Sequence, residues 1–386
     1  MRYLHGKTRN TPLNLDPSAP TLWVHWGKSG GGPRFLYELT LGDISLQKTP
    51  PSNTLLSFNP DAEIANQFAT LPIPFFPVPT YHTKVGVITN LPRLFFYSIN
   101  VRRWIKANNV RRVVGVMESI YQSISLPLIL PRNIEYVACI HDGRHHPGES
   151  NFVQRIGRRL ELWRANRLVT FSKAVAKILD ADTHLPITVG DHPPFGIQDP
   201  KNIEPRTLPI NRPIRVGLFG RLQRYKGIPL LLEAARILRT NDTIPIFELH
   251  IIGDGPESEH KYGENGNQAL WDDRWIPEEE IDDIVADLDV MVLPYTEASQ
   301  SGPITLAKAH AIPCVVTPEG ALPAQVGRGG IVAAETTASS FAEALAAALS
   351  ADTYDKLSLN VIQEIQKTMS WSDLASTIRR EENESN

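Results

Sequence analysis

The sequence predicts an α/β protein of two doubly wound parallel-sheet domains. Three observations predict it. Strand-like and helix-like segments alternate along the chain, the strand-like runs are apolar almost without a break, and a proline-rich aperiodic stretch divides the chain near its middle. The 386 residues suit two domains at roughly 100–200 residues each. A hydrophobic content of 42% fills two cores, and 21% charged residues exclude a disordered chain.

In the first half the strand-like runs are TLWVHWG (21–27), NTLLSFN (53–59), RRVVGVM (111–117), IEYVACIH (134–141) and RLVTFS (167–172). Amphipathic helical stretches lie near 87–108, 150–166 and 172–181. The second half repeats the scheme with IRVGLFG (214–220), IFELHIIG (246–253), DVMVLPY (289–295) and IPCVVTP (312–318). Its helices are expected near 226–239, 277–286, 302–311 and 338–351, with another near 353–368. The stretch GIQDPKNIEPRTLPINRP (196–213) has linker composition. LPIPFFPVPT (71–80) reads as a loop too stiff for a helix or a central strand. Ligands of such sheets bind at the carboxyl ends of the strands, so facing domains would place the site in a cleft.

Composition excludes several classes. No apolar run approaches the roughly 18–20 residues of a membrane span, and the polar N-terminus has no apolar core of a secretion signal. Two cysteines, Cys139 and Cys314, are too few for a disulfide scaffold or a zinc site and fit a reducing cytoplasm. The net charge of −3 hides an asymmetry: residues 1–213 hold 25 basic and 15 acidic residues, a net of +10, leaving 14 basic and 27 acidic residues, a net of −13. A basic first half favours an anionic acceptor or an anionic membrane surface; alternatively, the two halves attract each other. Nucleic acid is not an expected partner.

Three motifs carry chemistry. In IRVGLFGRLQRYKG, Arg221 and Lys226 stand five residues apart in the loop after a strand, and together suit a diphosphate. In ELHIIGDGPE the glycines of Gly253-Asp254-Gly255-Pro256 allow a close backbone approach to a ligand, or form a plain turn. In DVMVLPYTEASQSGPITLAKAHAIPCVV a polar loop holding Glu297 leads into a helix whose first amides, near Ser301 and Gly302, favour phosphate. Ser301 reads equally as a plain N-cap, and Glu297 as an exposed loop acid.

Together these motifs, followed by PEGALPAQVGRGGIVA (318–333), resemble the retaining GT-B glycosyltransferases of glycosyltransferase family 4 over residues 214–351. The resemblance implies two Rossmann-like domains facing each other across a cleft. Residues 1–205 would bind the acceptor, residues 206–370 the nucleotide-sugar donor, and 371–386 would cross back as a helix anchored by Trp371. It implies that Arg221, Lys226, Ser301, Gly302, Pro303, Ile304 and Thr305 surround the donor diphosphate and ribose, that Glu297 touches the donor sugar, and that Ile276 lies near the base. The family's loop carries a second glutamate eight positions after the first. Here Thr305 stands in that place.

In the N-terminal half, WVHWGKSGGGPRF (23–35) resembles the family's first glycine loop, which gives Gly31 and Gly32 a role beside the donor phosphates. ACIHDGRHHPG (138–148) resembles the strand that ends in His-Asp, which makes His141 the catalytic candidate with Glu297. His145 and His146 lack a spaced carboxylate partner, and no metal site or permanently bound cofactor is expected. The implied reaction is transfer of a hexose, with retention, from a nucleotide diphosphate-sugar to a glycan or lipid-linked acceptor in cell-surface polysaccharide or glycoconjugate synthesis. It would take place in the cytoplasm or peripherally at the inner face of the membrane. The alternatives are a nucleotide-sugar epimerase and an inactive sugar-nucleotide-binding protein. The basic, aromatic stretches 92–112 and 154–167 are candidates for an anionic membrane surface, although their apolar residues are expected to pack on the sheet.

Overall fold

The structure is a computed structural model describing residue 13 and residues 15–47, 51–80, 91–143, 152–197, 203–298 and 301–380. The chain divides into two compact units, residues 1–191 with 369–386, and residues 192–368.

In the first unit β1 (Thr21–His25), α1 (Gly31–Ser45), β2 (Thr54–Phe58), α2 (Ala65–Ala69) and β3 (Phe75–Pro77) come first. They are followed by α3 (Leu91–Ala107), β4 (Arg112–Gly115), α4 (Ile120–Ile129), β5 (Glu135–Ile140), α5 (Phe152–Arg164), β6 (Arg167–Thr170), α6 (Lys173–Asp182) and β7 (Ile187–Val189). Among the described residues the strands form one parallel sheet of order β3-β2-β1-β4-β5-β6-β7. Leu22, Val24, Val113, Tyr136 and Leu168 are buried in it beneath Val101 and Ile105 of α3 and Leu126 of α4.

The second unit holds β8 (Ile214–Phe219), α7 (Ile228–Arg239), β9 (Phe247–Ile252), β10 (Leu270–Asp272), α8 (Glu278–Ala286), β11 (Val290–Leu293) and α9 (Gly302–Ala309). It continues with β12 (Cys314–Val316), α10 (Leu322–Val326), β13 (Gly330–Val332), α11 (Ala338–Ala348) and α12 (Ala351–Ile365). Its described strands are again all parallel, in the order β10-β9-β8-β11-β12-β13. In both sheets the strand order therefore reverses once, between β1 and β4 and between β8 and β11. Open α/β sheets bind ligands beyond the strand ends at such points.

The last helix, α13 (Trp371–Arg379), belongs to the first unit and packs on α1. Gly42 makes the approach close enough: a Cβ there would lie 2.5 Å from the Trp371 carbonyl carbon. Trp371 meets Phe35 edge-on at 4.9 Å between centroids. Arg379 grips the buried Asp43 carboxylate with two nitrogens and donates to the carbonyls of Pro17, Ala19 and Asn53. Leaving one of these buried partners unpaired would cost several kcal/mol, on the order of 3–5.

The proline-rich stretch read as a linker is tied down where it is described. The Arg206 amide donates to Ser358 Oγ at 2.8 Å, and the Arg212 guanidinium forks onto the buried Asp289 carboxylate at 2.6 and 3.0 Å. The stretch read as a loop at 71–80 contributes β3, an edge strand where a proline's missing N–H breaks no interior ladder.

Candidate functional site

At the switch point of the second unit, β8 ends and Gly220-Arg221 turns away. A single 3-10 turn (Arg224–Lys226) then brings Lys226 back to the strand ends. Lys226 is 5% exposed. Its ammonium donates to the Tyr295 hydroxyl and lies 4.2 Å from the centre of that ring. Tyr295 follows Pro294 at the end of β11, and its hydroxyl stands 3.2 Å from Ser301 Oγ. A Cβ on Gly220 would lie 3.7 Å from Lys226 Nζ and 3.8 Å from Pro303 Cγ, so Gly220, Lys226, Tyr295, Ser301 and Pro303 are gathered at one spot. Arg221 is exposed in the turn above. Gly227 adopts φ 69°, and a side chain there would strike the Pro294 carbonyl oxygen at 1.9 Å, which explains glycine directly after Lys226.

The expected row of phosphate-binding amides is shorter than the sequence suggests. Ser301 is the N-cap of α9, but its N–H donates to Gln325 Oε1 at 2.9 Å and its side chain makes no cap bond. Pro303 has no N–H. That leaves the amides of Gly302 and Ile304 in the first turn, while the Ile304 side chain is buried in the core. Thr305 is buried and donates its hydroxyl proton to the Gly302 carbonyl at 2.7 Å. Glu297 is exposed in a loop that starts where the Thr296 amide meets the Tyr225 carbonyl at 2.8 Å. Ile276 is buried in the connection from β10 to α8. The GDGP turn serves packing. A Cβ on Gly253 would lie 2.0 Å from the Gly220 carbonyl oxygen, and one on Gly255 2.2 Å from that of Leu222, so backbone rather than ligand fills the space these glycines leave.

In the first unit the sequence reading missed His25, the last residue of β1. Its ring is 5% exposed, and Nδ1 lies 3.3 Å from the Met117 carbonyl just beyond β4, so it spans the β1/β4 switch point. Burial pushes its pKa down to about 4, against a smaller opposing effect of the Met117 carbonyl, so the ring is neutral. Cβ atoms on Gly27 and Gly32 would lie 2.4 and 2.2 Å from Nε2. Gly32 is therefore small because His25 fills its side-chain space. Gly31, the first residue of α1, is exposed. The available signal was a histidine closing an apolar strand directly before the glycine run.

His141 follows β5. Its Nδ1 lies 3.3 Å from Asp142 Oδ1, and its side chain is 22% exposed. Burial lowers its pKa, but the Asp142 carboxylate, with Glu118 behind it, outweighs burial and raises it overall. Arg158 forks onto Glu118 and donates to the Asp142 carbonyl at 2.9 Å, holding the His-Asp turn in place. His145 and His146 lie outside the described residues. Among the described residues no cluster of three metal-ligating side chains occurs.

Residues 213–351 match the family model described as Glycosyl transferases group 1. No curated protein matches the chain in sequence. Among solved structures the chain is similar to sucrose-phosphate synthase from Thermosynechococcus elongatus, with a TM-score of 0.71 at 14% identity over 93% of this chain and 97% of that one. It is similar to HepE of Anabaena in complex with UDP and glucose, with a TM-score of 0.68 at 14% identity over 93% and 98% of the two chains. It is also similar to the lipopolysaccharide outer core galactosyltransferase WaaB in its apo form, with a TM-score of 0.65 at 14% identity over 93% and 98%. At such identity the likeness is one of fold. The two parallel sheets are the Rossmann-like pair of the α/β GT-B class, and the match to glycosyl transferases group 1 lies in the unit that gathers Lys226, Tyr295 and Ser301.

Proposed function

We propose that the chain is a glycosyltransferase that takes its sugar from a nucleotide diphosphate-sugar bound in the second unit. One observation carries the reading: a buried ammonium, a hydroxyl and a helix N-terminus meet at the β8/β11 switch point, within the segment that matches glycosyl transferases group 1. Arg221, Lys226, the Ser301 hydroxyl and the Gly302 and Ile304 amides bind the diphosphate. As the bond from the anomeric carbon to the phosphate oxygen breaks, they stabilise the charge left on the diphosphate, with no metal ion needed. The acceptor oxygen forms the new bond from the same face, so configuration is retained, and its proton leaves with the diphosphate. Glu297 accepts hydrogen bonds from the donor sugar. Thr305, whose own proton is committed to the Gly302 carbonyl, offers the ribose only lone pairs, as a carboxylate would. Ile276 lies beside the base. His141 and the amides of Gly31 and Gly32 serve the first unit's side of the reaction.

The similar structures support this donor class. HepE is solved with UDP-glucose, and TarM, with a TM-score of 0.51 at 13% identity, in a mutant form with UDP and α-GlcNAc-glycerol. The acceptor is a glycan or lipid-linked sugar, and the product belongs to cell-surface polysaccharide or glycoconjugate synthesis. An epimerase gains no support from these relatives.

The first unit also offers an anionic membrane a place to dock. Leu94, Val101 and Ile105 of α3 pack into the core, as the sequence reading expects. Phe95 and Phe96 do not: they are 64% and 66% exposed, beside exposed Arg93, Arg102 and Arg103. Among the described residues no helix is long and apolar enough to cross a membrane. Vesicles containing phosphatidylglycerol should bind the protein at low salt and lose it after Phe95→Ser with Phe96→Ser. Equal binding by the variant would remove this contact from the reading.

The donor assignment is tested by thermal shift against UDP-, GDP-, ADP- and TDP-sugars, followed by sugar transfer. One donor should raise the melting temperature. Arg221→Ala and Lys226→Ala should abolish that rise, and activity identical in the wild type and both variants would refute the site.

A further inference from the structure

We propose that Tyr295 is a positioning residue that fixes Ser301 as a hydrogen-bond donor toward the diphosphate. This rests on the donor reading above. Tyr295 is 2% exposed and held from several sides. Its carbonyl accepts from Thr317 Oγ1 at 2.6 Å, and its ring meets Tyr225 edge-on at 5.7 Å.

The direction of its hydrogen bonds follows from the chemistry of its neighbours. An ammonium has three donors and no acceptor, so at the Lys226 contact the phenol oxygen accepts. Its single proton is then left for Ser301 Oγ, 3.2 Å away. Burial pushes the phenol's pKa up, which keeps that proton in place. Ser301 Oγ accepts from the phenol, so its own proton turns outward. The Ser301 amide is already committed to Gln325, which makes the hydroxyl the donor that this residue has left to give. The chain Lys226 to Tyr295 to Ser301 runs one way and ends in an O–H at the start of α9. A ligand that accepts meets a donor at that end, and a phosphate oxygen does so.

The role predicts coupling. Tyr295→Phe keeps the ring and its stacking on Lys226 but removes the proton that orients Ser301. Ser301→Ala removes the end of the chain. Calorimetric titration of the full chain with inorganic pyrophosphate should show each single variant weakened about fivefold to tenfold. The double variant should be weakened no more than about twofold beyond the weaker single one, because both changes break one chain. Losses that multiply, or a Tyr295→Phe protein that binds pyrophosphate like the wild type, would overturn the role while leaving the donor reading standing. A wild type that binds neither pyrophosphate nor any of UDP, GDP, ADP and TDP would overturn both. Should Tyr295→Phe fail to fold, Ser301→Cys keeps the shape and weakens the donor. It should lose pyrophosphate affinity without losing affinity for the uncharged nucleoside of the diphosphate that binds, and equal losses on both ligands would overturn the role.

Discussion

The two sheets share a strand order yet finish their switch points with opposite chemistry. At the end of β1 the space is filled by His25, a neutral ring lodged where Gly27 and Gly32 have no side chains. Near the end of β8 it is filled by Lys226, an ammonium set against two hydroxyl-bearing residues in series. A doubly wound sheet supplies a place for a ligand in either case. The residue at that place decides whether the ligand can bring charge. The first unit spends its switch point on packing, and the second keeps a buried cation there.

The largest effect expected from this contrast is on charge. Lys226→Ala should weaken pyrophosphate binding about a hundredfold, the worth of one charge-assisted contact in a buried site. Calorimetry with a chelator present sharpens the comparison. If binding by the wild type disappears when divalent ions are removed, a metal rather than the protein's own cation carries the diphosphate, and the contrast between the switch points loses its meaning.

Much of this contrast was legible in the sequence, and what was hidden has a physical cause. β8, β9, β11 and β12 are apolar runs bounded by Gly, Pro or Asp, and they stand close to where the pattern puts them. Arg221, Lys226 and Ser301 stand where the sequence reading puts them, in the loop after β8 and at the start of α9. α1 was not read as a helix, since it opens on Gly31-Gly32-Pro33 and carries Gly42 for the approach of α13. α4 was hidden by IYQSISLPLI, which is apolar on too many sides to show a helical period and contains Pro127, because the helix packs between α3 and α5. β7 and β10 have three residues each, too few for any period. Tyr295 and His25 gain their meaning from partners 69 and 92 residues away, a relation no local pattern carries. Of the two readings open for the GDGP glycines the structure takes the turn, and the backbone they approach is 33 residues earlier, at Gly220 and Leu222.

The next effect concerns fit. Gly32→Ala places a methyl 2.2 Å from the His25 ring inside a packed site and should destabilise the protein by about 1–3 kcal/mol in urea unfolding. His25→Ala in the same chain opens the space that the methyl needs. The double variant should therefore be less than additively destabilised, by about 1 kcal/mol or more. Strict additivity would mean that the glycine is required by its backbone and not by the ring, and the first switch point would no longer be a packing device.

The smallest effect is a slope against pH. An unfolded histidine titrates near 6.5, whereas folded His25 titrates near 4. Between those values the unfolded chain takes up a proton that the folded protein refuses. The stabilising share of His25 is thus complete above pH 6.5 and is lost as pH falls toward 4, by on the order of 2 kcal/mol between pH 7 and 5. The raw profile conceals this because Glu161 runs the other way. Buried beside Tyr136, it is pushed up to about 8, so it remains protonated in the folded protein while the unfolded carboxyl ionises, and its share grows as pH falls. Subtracting the urea-unfolding profile of His25→Gln from that of the wild type removes Glu161, and His141 with it. The wild type should lose its lead over the variant as pH drops from 7 to 5. A constant difference would mean that the ring titrates in the folded protein as it does in the unfolded chain, so that burial does not hold it neutral, and a lead that grows as pH drops would mean a ring charged at neutral pH.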